Sequence, residues 1–384
     1  MHLSGTEDGS RVLFHALFAL HCIVTILIDS MIPITGGMVR IARLLILLGL
    51  FVLIFLRREF MGTRYILLGA VLGIASVVTV IESGKEILLI TALFILAARG
   101  EDFRDICRTY LLSAGGTVCL VVLLCLCGVL EDYTYPHGSA YAHGLGFEYY
   151  STLPFLLFIL QIVWMYVKAD KVRWWELAVC TLANVVYYRL FTVRLTFLLG
   201  VLAILLYAAV VRLKLVDPAS HWTMWIARMG YSALLVFVVW LSVAYNADSL
   251  SWQAWNTRLN NRIVMLHEAF LRYSLPVLGR RIEMVGQTFV INGGALARDY
   301  FYIDSGIGFS VFAFGILFTL LIVALYTYLY TAAGRTGDGM LYVWVSVLLL
   351  FTFMNNIWID LAYNPLLLAV VPMLEKERIL RSTT

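Results

Sequence analysis

One feature recurs along this chain and limits its fold more than any other: apolar runs of about 17 to 25 residues, each long enough to cross a hydrocarbon core about 30 Å thick. In lipid every backbone N–H and C=O must be satisfied within the protein, so only helices and closed barrels can span. These runs are continuous rather than alternating, which selects helices. Composition agrees, since 62% of the 384 residues are hydrophobic and 14% are charged, against roughly 25% charged in soluble domains. The expected fold class is an all-α polytopic integral membrane protein of about twelve spans, eleven or twelve by this count.

A window of about 19 residues places spans near 12–28, 38–56, 65–81, 86–98, 106–130, 147–168, 174–191, 194–214, 222–243, 306–329, 340–354 and 361–374. The fourth and twelfth are short enough to be partly re-entrant, and only the polar break from Arg189 to Arg194 separates the seventh from the eighth. The first apolar stretch has no small-x-small site after it and reads as a retained span. Three parts follow: 1–243 with the first nine spans, 244–305 as one long polar segment, and 306–384 with the last three spans. The six cysteines lie in or beside apolar runs, where they read as small core hydrophobes.

Basic residues set the orientation. Arg57 and Arg58, Arg99 and Arg104, Lys168 and Lys171, Arg212 and Lys214, Arg335, and Lys376 and Arg378 all follow even-numbered spans, while segments 29–37, 131–146 and 355–360 contain no Lys or Arg. By the positive-inside rule both termini are cytoplasmic. Segment 244–305 then lies outside as a large extracytoplasmic loop, and structureless loops of such length are usually functional. From Gln253 to Ser274 it carries Trp255, Leu259, Ile263, Leu266 and Phe270 at helical spacing, which predicts one amphipathic helix at the membrane surface, ending at Pro276 and Gly279.

The outer set of cations is almost all arginine: Arg40, Arg43, Arg189, Arg194, Arg258, Arg262, Arg272, Arg280, Arg281 and Arg298, beside a single Lys85. Topology would accept lysine as readily, whereas a planar fork suits phosphate or carboxylate gripped at two points. An anionic ligand on the outer face is the economical reading. Arg189 and Arg194 flank LFTV close to membrane depth, where charge is expensive and usually functional, although an arginine at a span end also snorkels cheaply. Arg258 reads equally well as solvated, and Glu268 with Arg272 is also a plain i,i+4 helix pair. Asp304, where the polar loop meets an apolar span, is partly desolvated and suited to orienting a hydroxyl or accepting a proton. His143 in YAHGLGFEYY precedes glycines that let backbone approach a ligand, and a capping histidine would look the same. The chain lacks GxxxxGK[ST], a dinucleotide fingerprint, HExxH and GxSxG. Neither a nucleotide nor a metal is implied, no cofactor is expected, and a net charge of +4 gives no reason to expect nucleic acid.

Four segments in order resemble one family: HGLGFEYYSTLPF (143–155), VYYRLFTVRLTFLLG (186–200), LNNRIVMLHEAFLRYSLPVLG (259–279) and YFYIDSGIGFSVFAFGILF (300–318). Over about 175 residues the chain resembles the Wzy-type polysaccharide (O-antigen, capsular, exopolysaccharide) repeat-unit polymerases, relatives of the O-antigen ligases among GT-C-like membrane glycosyltransferases. Val193 stands where that family usually has Ser, and Ser305 where Asn is frequent. The resemblance implies a polymerase in the bacterial plasma membrane that moves a growing glycan from polyprenyl diphosphate onto the non-reducing end of a new lipid-linked repeat unit. It assigns Arg194 and Arg262 to the diphosphate; Arg189, close to membrane depth, and the Arg280–Arg281 pair, beside a tight turn, are further candidates from the arginine pattern itself. Asp304 and His143 become candidate acid/base groups, and Glu268, Arg258, Tyr302 and Tyr141 candidate sugar contacts. Implied partners are lipid-linked oligosaccharide repeat units, membrane lipid, and a flippase and chain-length regulator of the same pathway. A lipid-linked oligosaccharide flippase and an O-antigen ligase are the competing readings; the first expects similar halves or inverted repeats, and the second more naturally carries His at position 304.

Overall fold

The structure is a computed structural model that describes residues 3–57, 62–137, 140–286 and 300–383. Seventeen elements matter for the site. In chain order they are α1 (Leu3–Ile28), α2 (Gly36–Leu56), α3 (Thr63–Ser83), α4 (Ile87–Ala97), α5 (Phe103–Leu126), β1 (Thr134–His137), β2 (Ala140–His143), α6 (Thr152–Lys168), α7 (Trp174–Phe191), α8 (Arg194–Tyr207), α9 (His221–Ala244), α10 (Leu250–Arg258), α11 (Arg262–Tyr273), α12 (Gly306–Phe314), α13 (Ile316–Thr336), α14 (Gly339–Met354) and α15 (Val370–Thr383).

Among the described residues eight helices are long and apolar enough to cross a membrane, namely those in α1, α2, α3, α5, α6, α8, α9 and α13. The chain is thus a multi-pass membrane protein built of helices. Its surface says the same: Met38, Ile41, Leu44, Leu48, Phe51 and Phe55 of α2 are all more than half exposed, an apolar stripe too long for a protein surrounded by water. Helices α4 and α14 are shorter apolar helices and sit inside, with Leu88, Ile90 to Ala97 and most of α14 buried.

One short antiparallel hairpin accompanies the helices, with β1 and β2 pairing Thr134 with His143 and Tyr135 with Ala142. Two sequence expectations are corrected. The single amphipathic helix expected over 253–274 is two helices. Asn260 and Asn261 both adopt left-handed backbone, φ 56° and 62°, which asparagine tolerates better than most residues. The buried Asn256 fixes the break: its amide donates to Asn261 Oδ1 at 3.0 Å and accepts from the Val264 N–H at 3.0 Å. Beyond the break α11 buries Ile263, Leu266 and Ala269 against α9 and α12.

The tenth apolar run, expected as one span over 306–329, is also broken. At Gly315 (φ 86°, ψ 162°) α12 stops and α13 begins, and the segment after α11 is pressed into the gap. Pro276 and Val277 carbonyls accept from the Ile316 and Leu317 N–H groups at 3.0 and 3.2 Å, and the Arg280 N–H donates to Ala313 O at 3.0 Å. The termini of both half-helices find in the loop the partners that a continuous helix would have supplied internally.

The two ends of the bundle are tied differently. At one end Arg57 binds Glu101 and the carbonyls of Ala97 and Arg99, while Glu375 and Glu377 of α15 meet Arg99 and Arg335. At the other, most of segment 355–364 is buried, and three of its carbonyls are taken by distant side chains: Tyr326 on Trp358 O, Thr91 on Ile359 O and Tyr110 on Ala362 O. This second end carries Asp304.

Candidate functional site

The site is assembled by the break between α10 and α11. Arg262 is the first residue of α11, so the turn at Asn260 and Asn261 aims its side chain. Asp304 comes from the short stretch that leaves the Val285 to Phe301 bridge and enters α12, where Ser305 caps the helix by accepting from the Gly308 N–H at 3.2 Å. Asn356 holds this stretch from the opposite side, donating to the Tyr302 hydroxyl at 3.1 Å and to Ile303 O at 3.2 Å. Arg272 lies over the Phe301 ring, 4.4 Å from its centre, a cation–π contact that steadies the same stretch.

Arg262 Nε then lies 3.6 Å from Asp304 Oδ2, with side chains 21% and 37% exposed. That is a charge pair and not a hydrogen bond. Among the described residues Arg262 Nε is buried with no hydrogen-bond partner, and Nη1 donates to Leu259 O at 3.3 Å. A buried guanidinium N–H left unbonded costs about 1 to 3 kcal/mol, a cost that an oxygen-bearing ligand would relieve. Burial pushes the Asp304 carboxyl above the usual carboxylate range, and Arg262 offsets only part of that. Tyr300 is pushed up to about 12, by burial first and then by the Asp304 charge. Burial also raises Tyr149, to which Tyr150 and Asp304 add. A tyrosine wall continues away from the acid: Tyr149 and Tyr150 lie 4.6 Å apart by ring centres, and Tyr135 of the hairpin meets them at 5.6 and 5.5 Å.

The other sequence candidates fall elsewhere. His143 Nδ1 is 2.6 Å from Asp132 Oδ2, and the other oxygen of Asp132 accepts from the Leu145 N–H at 2.8 Å, so the histidine closes the base of the hairpin. Tyr141 on the same strand is 66% exposed. Glu268 pairs with Arg272 one turn on, and Arg258 lies over Trp255. The Arg280 side chain donates to Tyr273 O at 3.0 Å, and Arg281 is exposed. Arg189 lies in the last turn of α7 and Arg194 begins α8, both exposed, with no described contact to Asp304. Arg298 lies outside the described residues. Among the described residues no group of three or more His, Cys, Asp and Glu is placed to hold a metal ion.

Two further acids, Asp29 and Asp360, do not stand out among the sequence candidates. Asp29, just past α1, accepts a hydrogen bond from the Tyr363 hydroxyl. Asp360 lies 3.7 Å from the buried His21 Nε2. Both aspartates interrupt apolar sequence, and that signal was legible because carboxylates beside spans are costly. Asp29 and Asp304 both raise Tyr302, after burial, so the acids share one polar region.

Burial, then the Asp360 and Glu148 charges, push Asp29 from 3.8 to about 6, although the Tyr363 bond opposes the shift. Between those values the folded protein holds a proton that the unfolded chain releases, so stability falls as pH rises through the window. Asp29→Asn keeps an acceptor for Tyr363 and removes the ionisation. Relative to wild type, it should gain on the order of 2 kcal/mol between pH 4 and pH 7, read as thermal midpoints in detergent; parallel pH profiles would contradict this.

No family model, curated protein or solved structure matches this chain.

Proposed function

We propose that the chain is a polysaccharide polymerase, transferring a growing glycan from polyprenyl diphosphate onto the non-reducing end of a new lipid-linked repeat unit at the outer face of a bacterial plasma membrane. One observation carries the reading: Arg262 Nε, buried and unbonded, beside the desolvated carboxyl of Asp304. In the transfer the bond from the anomeric carbon to the diphosphate oxygen breaks, and the acceptor hydroxyl oxygen forms the new glycosidic bond. The diphosphate leaves with the bonding electron pair, and the hydroxyl proton goes to a base. Arg262 meets the charge that grows on the leaving oxygens, a stabilisation larger in the transition state than in the ground state. Asp304 takes the proton, a role its raised affinity for protons suits. Tyr149, Tyr150 and Tyr300 offer ring faces and hydroxyls to the sugars. The resemblance adds Arg194 to the diphosphate site, and the exposure of Arg194 leaves it open to a ligand arriving from outside.

Purified protein in nanodiscs, given one lipid-linked repeat unit without nucleotide or metal, should produce a ladder of longer lipid-linked glycans. Absence of a ladder with cognate substrate, together with passage of labelled lipid-linked sugar across vesicles, would establish transport instead.

A further inference from the structure

Polymerisation needs two lipid-linked substrates, and Arg262 with Asp304 serves one. The second lipid must sit apart, because its diphosphate is one repeat unit away from the hydroxyl that reacts. At the same end of the bundle a cavity of about 620 Å³ opens beside the connection from α1 to α2, with Arg40, Arg43, Glu86 and Glu148 in its lining. It adjoins the acid cluster directly. Ile28 and Ser30 line it on either side of Asp29, and Asp29 O accepts from the N–H of Glu148 at 3.1 Å. Glu148 in turn precedes Tyr149 of the tyrosine wall.

The polar lining is mixed in sign, and its members are differently committed. Arg43 lies 3.6 Å from Glu86, so these two charges largely answer each other. Arg40 is exposed and has no hydrogen bond or ion pair among the described residues, and Glu148 is exposed as well. A free guanidinium takes a phosphate oxygen, whereas a free carboxylate takes hydroxyl donors and repels a second phosphate. A simple anion satisfies only the first; a sugar phosphate satisfies both. The apolar surround says how such a headgroup is tethered. Leu44 and Leu48 stand one and two turns below Arg40 on the same side of α2, exposed at 55% and 63%, so the helix offers an apolar track to a hydrocarbon chain beneath Arg40.

We propose that this cavity is a second lipid seat, which holds the sugar-diphosphate headgroup of the acceptor substrate between Arg40 and Glu148 with its prenyl chain along α2. Calling that lipid the acceptor rests on the polymerase reading, while the chemistry of the headgroup rests on the cavity alone.

The test uses the full chain in phosphatidylcholine nanodiscs and a polyprenyl diphosphate N-acetylglucosamine carrying a photoreactive diazirine on its first isoprene unit. After irradiation, labelled peptides are mapped by mass spectrometry. Label is expected within residues 28–48. Arg40→Gln should lower it by about tenfold, the loss expected for one charge-assisted hydrogen bond, Arg40→Lys should lower it less, and Arg262→Gln should leave it unchanged. Excess phosphatidylglycerol or inorganic phosphate should not displace it, while unlabelled polyprenyl diphosphate sugar should. Absence of label in 28–48, label undiminished in Arg40→Gln, or displacement by phosphatidylglycerol as effective as by the unlabelled sugar lipid would each overturn the seat. Labelling needs no turnover, so a protein that labels here yet builds no ladder keeps the seat and loses the polymerase reading, and a ladder without label does the reverse.

Discussion

Arg262→Lys is expected to cut the rate of glycan elongation by about 10² to 10³-fold, the range found when one preorganised donor to a developing anion is removed. Lysine keeps the charge, so a purely electrostatic attraction of substrate would survive. What it lacks is the Nε donor and the planar fork. In the free protein that Nε is buried without a partner and 3.6 Å from Asp304 Oδ2, a geometry in which the donor is in place before substrate arrives. The loss should therefore fall mainly on kcat and leave the KM for the lipid-linked unit within a few fold. Arg258→Lys is the control, since Arg258 is exposed and rests on Trp255; it should elongate like wild type. Equal rates for Arg262→Lys and wild type would remove Arg262 from the chemistry.

Gly315→Ala should be strongly damaging despite its small size. At φ 86° and ψ 162° the backbone is in a region that residues with a Cβ reach only at a cost of about 1 to 3 kcal/mol. A methyl there would also stand 2.3 Å from Gly279 N and 2.6 Å from Val277 O. These are backbone atoms on a segment that is itself closely packed, because a Cβ added at Gly279 (φ 101°) would in turn stand 2.8 Å from Ala313 O and 2.9 Å from the Phe314 carbonyl. To make room the loop must withdraw. Ile316, Leu317 and Ala313 then lose the three backbone hydrogen bonds that cap the two half-helices. Together these effects come to about 4 kcal/mol or more, the range reserved for disrupted backbone and buried polar groups. The variant should fail to accumulate as a monodisperse protein in detergent extracts. Gly73→Ala, where nothing lies within 4 Å of the added methyl, should lose nothing and gain up to about 1 kcal/mol from helix propensity. A thermal midpoint for Gly315→Ala equal to that of wild type would show that the break is not a constraint.

The spans were legible because their signal is local: a run of apolar residues about as long as the bilayer is thick needs no partner to be recognised. Breaks within runs were harder. Nothing in the apolarity of SGIGFSVFAFGILF distinguishes a helix that passes Gly315 from one that stops there, since the stop depends on carbonyls at Pro276 and Val277 some forty residues earlier. The division of α10 from α11 had a local sign, Asn260 followed by Asn261, but hydrophobic spacing runs through it. Its outcome rests on the bonds of Asn256, which face inward where periodicity has nothing to say.

The candidate site divides in the same way. From the sequence alone Arg262 and Asp304 stand out, one as an arginine in a basic outer set and the other as a lone acid at a loop boundary. Their separation along the chain hides that they meet. Asp29, Asp360 and Tyr363 were passed over for the same reason, because a carboxylate near a span end reads as a boundary until a tyrosine hydroxyl from the far end of the chain is found against it. The sequence determined that this protein lives in a membrane and that one group of arginines has no topological need to be arginine, since hydropathy and side-chain chemistry belong to each residue wherever it folds. Only the tertiary structure decided that Arg262 keeps an unbonded donor beside Asp304, that Arg280 is spent on the loop, and that Arg40 stands free over a cavity. Which donors remain unbonded depends on neighbours brought together from distant parts of the chain.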